Sequence, residues 1–223
     1  MSFRSIRAAA LLSSLVLAAC GDGSGLLGVA GGSSVATMRF VNVSGSSLDV
    51  AVNGSVTGTN ANVATGSALG CVQVSAPGSE LSVRKTGTTT DLGGFAPTFS
   101  SDGRYTMIAY PDASGTVLFA SIPNAFLPVA GNAALRLFNG VAAFATVDVY
   151  VTQPGTPFGT PRETGVAFGR ASASFSVLAG SSQVRILSAG PVTSDLGTYV
   201  LDAGKSYTLV VSPGPTALLV PDC

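Results

Sequence analysis

Four acids stand at matching places in the two halves of this chain. Asp49 and Asp148 are each the second residue of a short apolar run, LDVAV and VDVYV, and Asp91 and Asp195 each precede Leu-Gly. Arg39 and Arg136, and Asn42 and Asn139, recur in the same way. Carboxylates so placed could hold calcium at domain edges, or work in pairs in glycoside hydrolysis. The second chemistry would require acids such as Asp91, Asp102, Asp195 or Asp202 to converge in one cleft. The same residue types also have a structural use. Asp and Asn bond local backbone amides in turns, and Arg–Asp pairs across neighbouring strands contribute roughly 0.2–1 kcal/mol. A single active site rarely needs two copies of its acids, so retention in both halves points to the fold. The expectation is therefore no catalytic residue, no metal site and no cofactor.

Other chemistry is removed by composition. Histidine and tryptophan are absent. That excludes Ser-His-Asp and Cys-His catalysis, His-ligated zinc, an imidazole base, and the strongest sugar-stacking side chain. Gly23 to Gly28 fits G-x-G-x-x-G, but a dinucleotide site needs a strand before it and a helix after it. Here it lies in a glycine-rich stretch and reads as tether. Tyr105 and Tyr207 sit alike near the start of a late strand, as in a tyrosine corner, where the hydroxyl bonds upstream backbone. Tyr110, Tyr150 and Tyr199 have no tyrosine counterpart. They are either a surface particular to one half or ordinary half-buried strand residues.

The elements that must position these residues are strands. Leu48, Val50 and Val52 alternate with other residues, as do Leu81 and Val83, and Tyr105, Met107 and Ala109 share one face. Turn-forming Gly, Pro, Asn and Ser clusters separate such runs about every ten residues, the pattern of a β-sandwich. The chain then repeats. MRFVN (38–42) returns as LRLFN (135–139), LDVAV (48–52) as VDVYV (147–151), and APGSELSVR (76–84) as AGSSQVR (179–185). TDLG (90–93) returns as SDLG (194–197), and DGRYT (102–106) as AGKSYT (203–208). Five blocks in one order, at a spacing near a domain length, indicate tandem duplication. The expected fold is all-β: two tandem immunoglobulin-like antiparallel β-sandwich domains, at 36–122 and 133–223, joined by a linker at 123–132. About seven strands are expected per copy, with an outward polar face on each sheet. The linker could let the two copies swing or clamp them.

Ahead of the repeats, Arg4 and Arg7 precede an apolar run from Ala8 to Ala19. Twelve residues cover roughly 18 Å of helix, short of the ~30 Å of a hydrocarbon core, so residues 1–19 read as an export signal rather than a span. Leu17-Ala18-Ala19-Cys20 resembles a bacterial lipobox. That resemblance implies cleavage before Cys20 and lipidation of its thiol, with residues 20–35 as a flexible tether; several acyl chains, at about 0.8 kcal/mol per buried methylene, hold a domain at a bilayer almost permanently. Gly21 after the cysteine leans towards the outer membrane. Arg4 and Arg7 leave with the signal, so eleven basic side chains become nine against eleven acidic ones. Nothing in that balance attracts nucleic acid. Cys71 and Cys223 remain. Cys71 falls on an expected strand, opposite Ser174 in the repeat. Two thiols in an oxidising envelope usually pair, and a bridge here would tie the tail to the first copy; the alternative is two separate, partly buried thiols.

A lipobox followed by two copies of an RxxN…(L/V)DVxV opening and a late G-x-YT-like strand resembles the bacterial family called domain of unknown function 4397, over roughly residues 36–223. The resemblance implies a secreted or anchored β-sandwich module and brings no activity, cofactor or catalytic residue. The function expected is a lipid-anchored, non-catalytic interaction or structural module of the cell envelope, with an unknown envelope protein or glycan as its partner. The alternatives are an extracytoplasmic carboxylate-dependent hydrolase and a carbohydrate-binding module.

Overall fold

The computed structural model describes residues 34–58, 60–92, 97–124, 127–190 and 193–223. The expected signal, the lipidation residue Cys20 and nearly all of the tether lie outside them. The described chain is all-β. The first half supplies β1 (Val35–Asn42), β2 (Leu48–Val52), β3 (Ser67–Ala68), β4 (Val72–Ser75), β5 (Leu81–Lys85), β6 (Arg104–Pro111) and β7 (Val117–Pro123). The second supplies β8 (Asn132–Asn139), β9 (Thr146–Thr152), β10 (Glu163–Ala167), β11 (Phe175–Leu178), β12 (Gly180–Ser188), β13 (Thr193–Leu201), β14 (Ser206–Ser212) and β15 (Thr216–Pro221). Pro123 and Asn132, the ends of the expected linker, thus close β7 and open β8. Cys71 lies one residue before β4, not on a strand, because ladder pairing with β1 begins only at Val72.

The two halves use one pairing plan. β1 runs parallel to β6 with Met38 opposite Tyr105, and β8 runs parallel to β14 with Leu135 opposite Tyr207. On the other side β1 pairs antiparallel with β4, and β8 with β11. β7 and β15 close the far edges. The facing sheets are β2–β5 in the first half and β10–β9–β12–β13 in the second. Isolated bridges Leu48–Val63 and Arg84–Asp91 stand in the first half where β10 and β13 stand in the second. One register differs. Asp49 faces Arg84 on β5, whereas Arg185, the repeat counterpart of Arg84, faces Tyr150 rather than Asp148.

Alternation along each strand divides its side chains between faces. Ala36, Met38 and Phe40 of β1 join Val50, Val83 and Met107 in one β-sandwich-like core. Leu135 and Leu137 of β8 join Val149, Ile186 and Leu209 in a second. The other faces of the β1 and β8 sheets do not go to solvent, contrary to the polar outer face that alternation suggests. Val41, Val43, Ile108, Tyr110 and Ile122 pack with Phe138, Val210 and Val220 in a third core shared by both halves. Tyr110 lies edge-on to Phe138 and Phe168, at 5.0 and 5.5 Å between ring centres. Gly169 makes room for it, since a Cβ there would lie 2.7 Å from the Tyr110 hydroxyl. Eight side chains at about 1.5 kcal/mol each give an upper estimate on the order of 10 kcal/mol. That favours clamping over swinging, and Ser33–Cys223 forms one compact unit.

Asn42 and Asn139 end β1 and β8 as matched, fully buried hubs. Asn42 Nδ2 donates to the carbonyls of Ser46 and Val63, both at 2.7 Å, and Oδ1 accepts from the Ser44 amide and hydroxyl. Asn139 Nδ2 donates to Phe144 and Val166, and Oδ1 accepts from the Val141 amide. Each side chain thus ties the loop that follows its strand to a segment of the facing sheet. Replacing either with Ala leaves buried carbonyls unmet, and should lower unfolding free energy by about 2–4 kcal/mol in urea titration. Asn to Asp should cost at least as much, because a carboxylate would then face two carbonyls.

Candidate functional site

Each repeat-matched acid is engaged locally. Asp49 Oδ1 accepts from the Asn62 amide at 2.7 Å and the Thr86 hydroxyl at 3.0 Å. The Asn62 amide, then Thr86 and the Gly87 amide, hold its carboxyl below the usual carboxylate range. Asp148 does the same work for the amide of Gly165, at 2.8 Å. Asp91 accepts from Arg84 Nε at 2.6 Å, and that hydrogen bond keeps its carboxyl low. Asp195 holds the side chain of Gln183 and the amide of Gly197. The freed Arg185 instead fastens the loop after β9, donating to Thr152 and to the Thr156 carbonyl and lying 4.1 Å from the Phe158 ring centre. Tyr150 packs edge-on to Phe158, and Tyr199 donates to the Leu196 carbonyl. Among the described residues no group of three or more His, Cys, Asp or Glu side chains is placed to hold a metal ion.

The two late-strand tyrosines behave alike. The Tyr105 hydroxyl accepts the Ser100 amide at 3.0 Å, and the Tyr207 hydroxyl accepts the Asp202 amide at 3.2 Å, each five residues upstream. The Ser100 donors lower the Tyr105 pKa, whereas burial raises that of Tyr207. These corners set where β6 and β14 begin. Between the starts of these two strands opens a cleft of about 650 Å³, whose lining includes Asp102, Arg104, Asn124, Lys205, Asp222 and Cys223. Its size suits a small ligand or a peptide end.

Behind the cleft the shared seam becomes polar. Arg136, 5 % exposed, donates to the Thr208 hydroxyl at 2.8 Å, to the Pro123 carbonyl at 2.7 Å, to Asn124 Oδ1, and to Asp222 Oδ1 at 3.3 Å. Burial lowers the guanidinium pKa and Asp222 opposes that shift. Thr208 also donates to Asp222, as Thr106 does to Asn124. Asn124 and Asp222 are themselves counterparts, each following the proline that ends its half's last strand. Arg39 does not copy Arg136. Its terminal nitrogen donates to Cys71 Sγ at 3.2 Å, and its buried Nε has no hydrogen-bond partner among the described residues. Cys71 is bonded to Cys223, with α-carbons 5.8 Å apart.

Sequence reasoning thus reaches Arg39, Arg136 and both bridging cysteines. It passes over Asn124, Asp222, Arg104 and Lys205. A signal for two of these lies in the repeat itself: carried further along the chain, SIPN (121–124) aligns with LVPD (219–222).

A family described as "Domain of unknown function (DUF4397)" matches residues 36–150, from β1 into β9. No curated protein matches in sequence. Among solved structures, a leucine-rich repeat protein from Bacteroides thetaiotaomicron VPI-5482 is similar over 83 % of this chain at 15 % identity, with a TM-score of 0.23. The chain spans 27 % of that protein's length, and the TM-score is too low to define a shared fold.

Three single substitutions test this geometry. A Cβ on Gly103 would lie 2.6 Å from the Tyr105 ring and 2.8 Å from the Ser100 carbonyl. Gly103→Ala should therefore break the first corner and lower Tm, and pairing it with Tyr105→Phe should add little further loss. Asp222→Ala strips a buried guanidinium of its carboxylate and should cost about 3 kcal/mol or more in denaturant titration. Asp91→Ala, at a solvated pair, should leave Tm nearly unchanged.

Proposed function

The chain belongs to the DUF4397 family, and on that footing we propose a lipid-anchored, non-catalytic interaction or structural module of the cell envelope, built from two tandem immunoglobulin-like β-sandwiches. The observation that carries this reading is how the matched polar side chains are used. Asn42 and Asn139, Asp49 and Asp148, and Tyr105 and Tyr207 each bond backbone of another segment in their own half. Residues retained in both copies serve the fold, leaving binding to features that differ between copies. The cleft at the seam is such a feature. Arg104 faces it from one half, Lys205 from the other, and residues of both line it. The tandem arrangement is supported by the equal registers of β1 with β6 and of β8 with β14.

Anchoring rests on the lipobox-like Leu17-Ala18-Ala19-Cys20. No helix among the described residues is long and apolar enough to cross a membrane. In this reading acyl chains on Cys20 hold the body at a membrane, the outer one where the cell has two, and a partner protein or glycan meets it in the envelope. Cys20→Ser should move the protein from the membrane pellet to the soluble fraction; equal sedimentation of both forms would refute anchoring. A photo-crosslinker at Lys205 should capture an envelope partner that a crosslinker at Asp112, in the hairpin between β6 and β7, does not. Equal capture at both positions would remove the cleft as the contact.

A further inference from the structure

The two sulfurs of the Cys71–Cys223 bridge have different surroundings. Cys71 is exposed, and the Arg39 guanidinium donates to its sulfur at 3.2 Å. Arg39 is a cation short of hydrogen-bond partners. The groups that its repeat position would offer are taken: Thr106 bonds Asn124, and Asp222 bonds Arg136 and Thr208. Its Nε is buried without a hydrogen bond among the described residues, and burial pulls the guanidinium pKa down while the charge of Asp222 opposes that shift. A disulfide sulfur is a weak acceptor for such a donor, while a thiolate would bring a full negative charge to it. Cys223 is placed differently. It lines the cleft together with Arg104, which donates to the Cys223 main-chain oxygen at 3.3 Å, with Lys205, and with the carboxylates of Asp102 and Asp222.

We propose that this bridge is a thiol–disulfide exchange site for a small thiol, with Cys223 the sulfur attacked from the cleft and Cys71 the leaving group. The incoming thiolate forms a new S–S bond to Cys223 Sγ. The Cys71–Cys223 bond breaks, and its electron pair departs on Cys71 Sγ as a thiolate facing Arg39. The thiol is oxidised to a mixed disulfide, Cys71 is reduced, and no proton is required in the step. A leaving thiolate stabilised by a neighbouring cation departs faster. The reverse attack by Cys71 restores the bridge, so the tail can be released from and returned to the first half.

The test uses the oxidised full chain, reduced glutathione as the thiol, and excess iodoacetamide to trap the products for peptide mapping. Glutathione is expected on Cys223 and the alkyl group on Cys71. Exposure alone favours the opposite, so glutathione on Cys71 with alkylated Cys223 would overturn the proposal. In the reduced protein, Cys71 alkylation should show a midpoint below the ordinary thiol value of about 8.5; a midpoint at or above it would also overturn the assignment. Arg39→Gln should slow bridge opening by roughly three- to ten-fold and raise the Cys71 midpoint, and Arg39→Lys should restore part of both. An unchanged rate in Arg39→Gln counts against the proposal, and mapping of the unsubstituted protein decides the matter if that variant fails to fold.

Discussion

Arg136 puts a full positive charge in the middle of a strand whose buried side chains leave it almost no water. A guanidinium in such a place costs several kcal/mol unless its donors are met. The donors are met from both halves at once: the Pro123 carbonyl and Asn124 end the first half, and Thr208 and Asp222 belong to the second. That requirement fixes where the last strands of the two halves end relative to each other. It draws the end of β15 against the first half and so places Cys223 within bonding distance of Cys71. It also engages Asp222, which leaves the counterpart Arg39 to find a sulfur instead.

Neither half is complete alone. Phe138, Val210 and Val220 face outward from the second core, and Val41, Ile108 and Ile122 from the first, and only the seam covers them. A chain with 10 % charged residues has few ions with which to solvate such faces. It covers them with each other, and meets its buried polar groups largely with amides and hydroxyls. The two asparagine hubs show the logic. A neutral amide satisfies carbonyls and amides together without the desolvation cost of an ion.

The strands, the repeat and the identity of its matched residues were legible because period-two alternation and recurring blocks are local signals. LDVAV and VDVYV read as β2 and β9 with their acids in place. What those acids bond was not legible, since the amides of Asn62 and Gly165 lie on other segments. The seam was hidden for a similar reason. In β8 the run Ala133 to Asn139 is buried on both faces, and continuous burial carries no sign of which face meets which partner. The two-residue slip that sets Arg185 against Tyr150 arises from pairing between strands, where a single sequence gives no register. Asn124 and Asp222 were visible in principle, but their motif is one proline and one polar residue, too short to stand out without the strands around it.

The sulfur bridge also changes the chain's covalent connectivity. Residues 71 and 223 are 152 apart in sequence, so the bond closes nearly everything after the start of β4 into one ring. Tension applied between Ser34 and Cys223 runs along β1 to β3, reaches Cys71, and crosses directly to the last residue. The whole second half lies off that line, slack within the ring, and only the short leading segment would be drawn out under load.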